Sequence, residues 1–564
     1  MGRKFRNQLG LIAPLACVLV LSAPGLVAAE NSPKLVLQIT VDGLRGDLLE
    51  RYRHHFGKGG FEYLLDKGVV YSNAHYQHAN TETIVGHATL ATGAQPASHG
   101  LVGNVWYDSQ SGELAYNIED PEYPLLPTRV DQKKGAQVDP AQKQARTDGR
   151  SPRAMLVPTF SDTLAAAKGP EVNVFAVSGK DRGAVPMAGQ TGKAFWYSTD
   201  TGDFQSSRYY YDAYPPWVID WNGKRKAESQ AGQQWELLAA KGEYLWAAQD
   251  DRPYEADLKG YGRTFPHPFG ESSHPLFATR LLVSPEGDRL LLDFARTLID
   301  SENLGGDAIT DYLGVSFSGL DAVNHFFGVA SLENEDLVVQ LDRMIAALLS
   351  HVDKKVGLQH TLIVLSADHG MVEMPEYMQE FGFPAGRKFN EYVLELANSL
   401  GKELFGVDAI AKTFFRPSLY LDREAIDAAG LDMDKIAVEL AEAMSTVHGI
   451  GGARASADLL SREHSGIARS MQLNTHPQRS GDIYVAQAPY WFMFAKGPVA
   501  AMHGSPWKYD THVPVIFAGA SLKARRVTRE VHPVDVAPTL SAFLGIPAPA
   551  ASEGQVLTEV VTQQ

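Results

Sequence analysis

The sequence predicts an α/β fold: a doubly wound, mostly parallel central sheet with helices on both faces and inserted cap segments. Three observations carry this. Short apolar runs without polar alternation recur along the chain, as strands buried on both faces require. Helical patterns separate them. Four of the runs end on charged or metal-ligating residues, and in open α/β sheets ligands gather at the carboxyl ends of the strands.

The first run is KLVLQITVDG, residues 34–43, ending on Asp42. VNVFAVSGKDRG, 172–183, ends on Lys180 and Arg182. YLGVSFSGLDAVNH, 312–325, ends on Asp321 and His325, and TLIVLSADHG, 361–370, on Asp368 and His369. THVPVIFAG, 511–519, is a fifth run. Among the helical patterns, Leu337, Leu341, Met344, Ile345 and Leu348 share one face, with Ser331 as N-cap and acids in the first turn. Two stretches depart from the sheet pattern. Residues about 200–300 are rich in Tyr, Trp, Gly and Pro and read as an irregular insertion near the site. Residues about 375–490, with PSLYLD and MDKIAVELAEAMSTV, read as a smaller α/β insertion or cap.

The chain has 564 residues, enough for a large core, and its 44% hydrophobic and 21% charged content is that of a soluble globular protein. A formal charge of −15 argues against a nucleic-acid surface, which needs basic patches. It leaves room for an anionic substrate, because a metal or an Arg/Lys cluster can invert the field inside a pocket. Residues 1–29 read as a secretory signal: Arg3, Lys4 and Arg6, then an apolar stretch, then a small-residue cleavage site after Ala29. The expectation is a periplasmic or secreted protein of 30–564 with no membrane span after cleavage. Its formal charge would be −18, and with Cys17 lost it would have no thiol or disulfide chemistry.

Asp321 and His325 are four apart and leave one face of a helix. Asp368 and His369 are adjacent on a turn that Gly370 permits. His503, in AMHGSPWKYDTHVP, is a late imidazole beside a glycine. With Asp42 these make three carboxylates and three imidazoles without cysteine, a donor set that suits two catalytic zinc ions of three protein ligands each. Each alone reads as a turn, cap or surface pair; their joint occurrence at strand ends favours metal. Lys180 and Arg182 point the same way from an extended strand end and suit phosphate oxygens, against the plainer reading of a solvated charge cluster. His54, His55, His78, His87, His99 and His512 read as structural. The stretch ANTETIVGHATLATG, 79–93, is either a polar loop capping a helix or the site of a nucleophilic hydroxyl.

The motifs VDGLRGDLL, TIVGHATLATGAQPASHGLVGNVWYD, SGKDRGAVPMAG, GLDAVNHFFG, SADHGM and HGSPWKYDTHVPVIFAG occur in this order. Together they resemble the alkaline phosphatase superfamily, and within it the bacterial phosphate-irrepressible alkaline phosphatases, relatives of the nucleotide pyrophosphatase/phosphodiesterases. The resemblance covers nearly the whole chain after residue 29. It implies a Thr nucleophile at a helix start, twenty-one residues before an Asn that binds a phosphoryl oxygen; counting from Asn104 selects Thr83 over Thr81. It implies one zinc on Asp321, His325 and His503, and another on Asp42, Asp368, His369 and the Thr83 oxygen. It implies that Lys180 and Arg182 hold the substrate's remaining phosphoryl oxygens. Where the family often has proline after the nucleophile, this chain has Val85-Gly86-His87. The expected activity is hydrolysis of small phosphate monoesters through a phosphothreonine.

A phosphodiesterase or nucleotide pyrophosphatase would share the metals and nucleophile but replace the Lys/Arg clamp with an apolar pocket. A sulfatase would need a Cys or Ser in a C/S-x-P-x-R motif. A phosphomutase reading fits poorly with an export signal. A non-catalytic phosphate-binding protein would need neither the metal set nor the hydroxyl. Oligomeric state is left open.

Overall fold

The computed structural model describes residues 1–2, 32–108, 111–127, 137–497 and 499–563. The apolar part of the expected signal and Cys17 lie outside these residues. Nine strands form the central sheet: β1 (Leu35–Val41), β2 (Val69–His75), β3 (Val174–Ser178), β4 (Lys193–Tyr197), β5 (Phe204–Gln205), β6 (Asp311–Phe317), β7 (Thr361–Ser366), β8 (His512–Gly519) and β9 (Arg525–Val527). Their order is β9-β2-β8-β7-β1-β6-β3-β4-β5.

Strands β1, β3, β6 and β7 are buried at every position, which is why their sequences lack alternation. The two faces of β1 feed two cores. Leu35, Leu37, Ile39 and Val41 join one, and Val36 joins the other. Helices cover both. Helix α1 (Thr83–Thr92) places Ile84, Val85 and Ala88 in the second core. Helix α4 (Leu332–Lys355) buries Leu337, Leu341, Met344, Ile345 and Leu348 in the first. The Ser331 hydroxyl accepts the Asn334 N–H at 3.1 Å, the N-cap its sequence position implies.

The run at 511–519 departs from the parallel pattern. Strand β8 is antiparallel to both β7 and β2. Its start therefore lies at the end where β7 finishes, with Val515 opposite Ser366. This reversal brings the segment preceding β8, His503 included, to the carboxyl ends of the parallel strands.

The 375–490 segment contains a four-stranded sheet, Ala411–Phe415, Ser418–Leu421, Ile483–Gln487 and Ile450–Ala455 in spatial order. Helices Asn390–Phe405 and Met433–Ser445 contribute to a core of its own with Leu419, Leu440 and Val485. The 200–300 stretch is largely irregular between residues 224 and 276. Its last part is helix Pro285–Ser301. Its indoles serve as braces: Trp217, Trp221 and Trp235 donate to Glu302, Asp293 and Asp336 at 2.6–2.7 Å. Among the described residues, no helix is long and apolar enough to cross a membrane.

Candidate active site

Four parallel strands deliver the charged residues. Asp42 follows β1, Lys180 and Arg182 follow β3, Asp321 follows β6, and Asp368 and His369 follow β7. Helix α2 (Asp181–Ala188) starts at the clamp, and helix α3 (Gly319–Phe327) carries Asp321 and His325 one turn apart.

Six of these side chains fall into two groups, Asp321/His325/His503 and Asp42/Asp368/His369, with ligand atoms in each group within 4.8 Å of one another. In the first, His325 Nε2 is 3.2 Å and His503 Nε2 3.5 Å from Asp321 oxygens. In the second, His369 Nε2 is 3.3 Å from Asp42 and 3.4 Å from Asp368. His369 Nε2 also lies 4.0 Å from Asp321, so the groups adjoin.

Each histidine is oriented by the backbone. His325 Nδ1 meets the Ala501 carbonyl at 2.9 Å, His369 Nδ1 that of Gly370 at 2.8 Å, and His503 Nδ1 that of Thr81 at 2.8 Å. A carbonyl only accepts, so each Nδ1 carries a proton and Nε2 is the ring atom turned to the carboxylates. The three aspartates are fully buried, and Asp42 Oδ1, Asp321 Oδ1 and His369 Nε2 have no hydrogen-bond partner. Buried polar atoms without partners are expensive. Carboxylate oxygens and imidazole nitrogens converging in two places, some without partners, make two groups able to hold a metal ion.

Burial, reinforced by Asp321 and Asp368, raises Asp42 above the usual carboxylate range. Burial alone would lower His369, but Asp368, Asp42 and Asp321 outweigh it and raise it to about 9. Lys180 occupies the middle of this charge: its ammonium lies 2.7 Å from Asp42 and also contacts Asp321. It bridges the two groups rather than reaching into open space beside Arg182.

Thr83 is the first residue of α1, and its hydroxyl is buried without a hydrogen-bond partner. It caps nothing. The Ile84 N–H instead donates to Asn104 Oδ1 at 3.2 Å, which turns the Asn104 amide NH₂ away from the helix. The next turn presses on the Asp42 group: a Cβ on Gly86 would lie 1.9 Å from the Asp368 carbonyl oxygen. His87 Nδ1 donates to the Thr83 carbonyl at 2.8 Å and lies 3.2 Å from Asp368, with Nε2 2.9 Å from Ser316 Oγ, so this histidine ties the first turn of α1 to the sheet beside Asp368. Thr81 supplies the carbonyl for His503, and its hydroxyl bonds Ser505 in both directions.

Arg182 is held by Asp139 at 2.7 Å and by the Tyr116 hydroxyl at 3.4 Å, with Nε unpartnered. A cavity of about 560 Å³ reaches Asn104, Lys180, Arg182 and the Asp321/His325/His503 group. Its lining also includes Trp196, Tyr197, Phe326 and Phe494. No Tyr or Trp of 208–269 lines it, so those aromatics do not face this space. Sequence reasoning missed Asp139 and Tyr116, which lie far along the chain from the Arg182 they hold.

The type I phosphodiesterase / nucleotide pyrophosphatase family matches residues 36–510. The chain is 31% identical over 553 residues to alkaline phosphatase PafA of Elizabethkingia meningoseptica, covering 96% of this chain and 98% of that protein. It is 30% identical over 538 residues to a Myroides odoratus protein named calcium-transporting ATPase, covering 94% and 95%. A crystal structure of wild-type alkaline phosphatase PafA matches with a TM-score of 0.84 at 29% identity, covering 94% of this chain and 99% of that one. A further crystal structure of PafA carries changes at one threonine, one asparagine, one lysine and one arginine, with threonine and asparagine 21 apart and lysine and arginine two apart.

Fold and relatives together place the chain in the alkaline phosphatase superfamily, as a phosphatase. Within it, the chain belongs to the type I phosphodiesterase / nucleotide pyrophosphatase family.

Proposed function

We propose that this enzyme is an exported phosphatase that hydrolyses small phosphate monoesters through a phosphothreonine on Thr83. The observation that carries the reading is the Thr83 hydroxyl: buried, unpartnered, at a helix N-terminus, on the helix that packs against Asp368. Asp321, His325 and His503 would hold one zinc ion, and Asp42, Asp368 and His369, with Thr83, another. Two such ions supply charge neutralisation for the transferring phosphoryl group and make hydroxyls near them more acidic.

The chain's own groups do the rest. The free N–H groups and positive dipole end of α1 favour an anion at Thr83. Thr83 Oγ1 loses its proton to solvent and forms a bond to phosphorus as the bond to the ester oxygen breaks; the alkoxide takes up a proton and leaves as the alcohol, and water then cleaves the phosphothreonine, restoring the Thr83 hydroxyl and releasing inorganic phosphate. The Asn104 NH₂ and the Arg182 guanidinium donate to the non-bridging oxygens. Lys180 joins them once its two carboxylates are neutralised by metal. Most of this is positioning and electrostatics. The PafA variant supports the same four residue types acting as a set, because Thr83 and Asn104 are 21 apart here and Lys180 and Arg182 two apart. ATP hydrolysis, which the Myroides relative's name includes, is phosphoryl transfer to water of the same kind.

A diesterase of the same family is the second reading, because the family name includes phosphodiesterases. The buried Lys180/Arg182 pair favours the monoester, whose extra charged oxygen it would meet. Hydrolysis of a chromogenic phosphate monoester and the matching diester, after chelation and zinc add-back, decides between them. Zinc-restored cleavage favouring the monoester supports the proposal. Preference for the diester supports the second reading, and no restored activity on either contradicts both.

A further inference from the structure

Glu82 and Arg416 form an ion pair sealed from solvent, 0% exposed at the arginine and 1% at the glutamate. Glu82 immediately precedes Thr83. It is the N-cap residue of α1, yet its side chain caps nothing. Its Oε2 accepts the Asn104 backbone N–H at 2.6 Å, and its Oε1 accepts Arg416 Nη2 at 2.7 Å. Arg416 Nη1 donates to the carbonyl of Gly504, the residue after His503. Arg416 itself belongs to the inserted sheet, between strands Ala411–Phe415 and Ser418–Leu421. Its guanidinium lies over the Phe494 ring, 5.4 Å from the centroid. Gly504, at φ +101°, makes the approach possible: a Cβ there would lie 2.2 Å from Arg416 Nη1.

A buried ion pair is a poor way to gain stability, because an apolar pair of similar volume does as well. This one has a more specific arrangement. Its hydrogen bonds end on the backbone of Asn104 and of Gly504, and its glutamate is next to Thr83. One carboxylate and one guanidinium thus touch the three loops that carry a proposed nucleophile, a phosphoryl-binding amide and a metal ligand. The pairing also cancels a charge. An unpaired carboxylate one residue from the nucleophile would repel an incoming phosphate.

We infer that the Glu82–Arg416 pair is a positioning device for phosphoryl transfer, through which the inserted domain fixes Thr83, Asn104 and His503 relative to one another. The inference rests on the roles proposed above for Thr83 and Asn104. Neither member of the pair touches the substrate; they act through the residues they hold.

The test uses the full-length zinc-loaded enzyme and a chromogenic monoester. Glu82→Gln, Arg416→Lys and Arg416→Met are made, and Glu82→Gln is repeated in an Asn104→Ala background. Zinc content and thermal unfolding are measured beside kcat, KM and inhibition by inorganic phosphate. Glu82→Gln and Arg416→Met should lower kcat/KM about 10- to 100-fold at unchanged zinc content, with Arg416→Lys recovering part of the loss. In the Asn104→Ala background the further loss from Glu82→Gln should shrink to about threefold or less, because much of the effect passes through Asn104. An equal loss in both backgrounds, or kcat/KM within about twofold of wild type for both Glu82→Gln and Arg416→Met, overturns the inference. Should Arg416→Met fail to fold, Glu82→Gln and Arg416→Lys carry the test. An Asn104→Ala enzyme as active as wild type instead contradicts the proposed role of Asn104, and the route through it with it.

Discussion

The imidazoles of His369 and His503 stack with ring centroids 3.5 Å apart and 11° between planes, although each belongs to a different group of ligands. Their chain positions are far apart, and antiparallel β8 is what brings them together. The stack makes one unit of the two groups, so a change at one is felt by the other. His503→Ala should therefore lower zinc content below the single ion that the Asp42 group would still hold. Metal analysis after dialysis checks this: loss of more than one equivalent is expected.

Protons and metal compete at His369. In the metal-free protein its folded pKa is raised to about 9, so below that pH a proton must leave before Nε2 can bind a cation. Zinc affinity should rise with pH up to about 9 and level off above it. Titrating zinc into apoprotein at pH 7 to 8 in weak buffer should release close to one proton from this residue, and His369→Gln should remove that release.

Arg182 is buried and pre-aimed by Asp139 and Tyr116. Arg182→Ala should lower monoester kcat/KM by about 10²- to 10³-fold, the scale for losing one preorganised donor. The matching diester has one charged oxygen fewer and should lose much less. Asp139→Asn should give a smaller loss in the same direction, measured by the same pair of substrates.

Asp288 offers a test of stability rather than catalysis. Its Oδ1 accepts the Ser318 and Gly319 N–H groups at 3.1 and 3.2 Å, at the junction of β6 and α3. Burial raises it to about 7, against those two N–H donors and with Asp42 adding to the rise. A raised folded pKa gives a contribution fully present below the unfolded value, near 4, and lost as pH rises through about 7. Urea unfolding of apoprotein between pH 5 and 8 should show stability falling with pH, by at most about 3 kcal/mol over the window. Asp288→Asn should flatten that slope.

Much of this architecture is legible in the chain. The buried strands announce themselves because both faces are covered, and the residues after them are the ones the structure gathers. Leu337 to Leu348 and Ser331 behave as their spacing implies. The strand direction of β8 was not legible, since an apolar run has no sign of its partner's sense. Strand β2, VVYSNAH, mixes buried and exposed positions and gives no clean run. Where the aromatic side chains of 208–269 point was not legible, because tryptophan near glycine and proline looks alike whether it lines a pocket or braces a helix; here Trp221 and Trp235 donate to acids on the outer helices. Arg416 lies 334 residues from Glu82, and only its apolar neighbours in FFRPSLYL hint at burial.

The central claim is a covalent bond between Thr83 and phosphorus. The most direct measurement is intact-protein and peptide mass after acid quench during turnover of a monoester. Added mass of one phosphoryl group is expected, mapped to the peptide containing Thr83 and absent in Thr83→Ala and in chelated enzyme. Activity of Thr83→Ala should fall on the order of 10⁴-fold or more, as when a nucleophile is removed. A phosphoryl group on another residue, or a Thr83→Ala enzyme that still turns over at the wild-type rate, would contradict it.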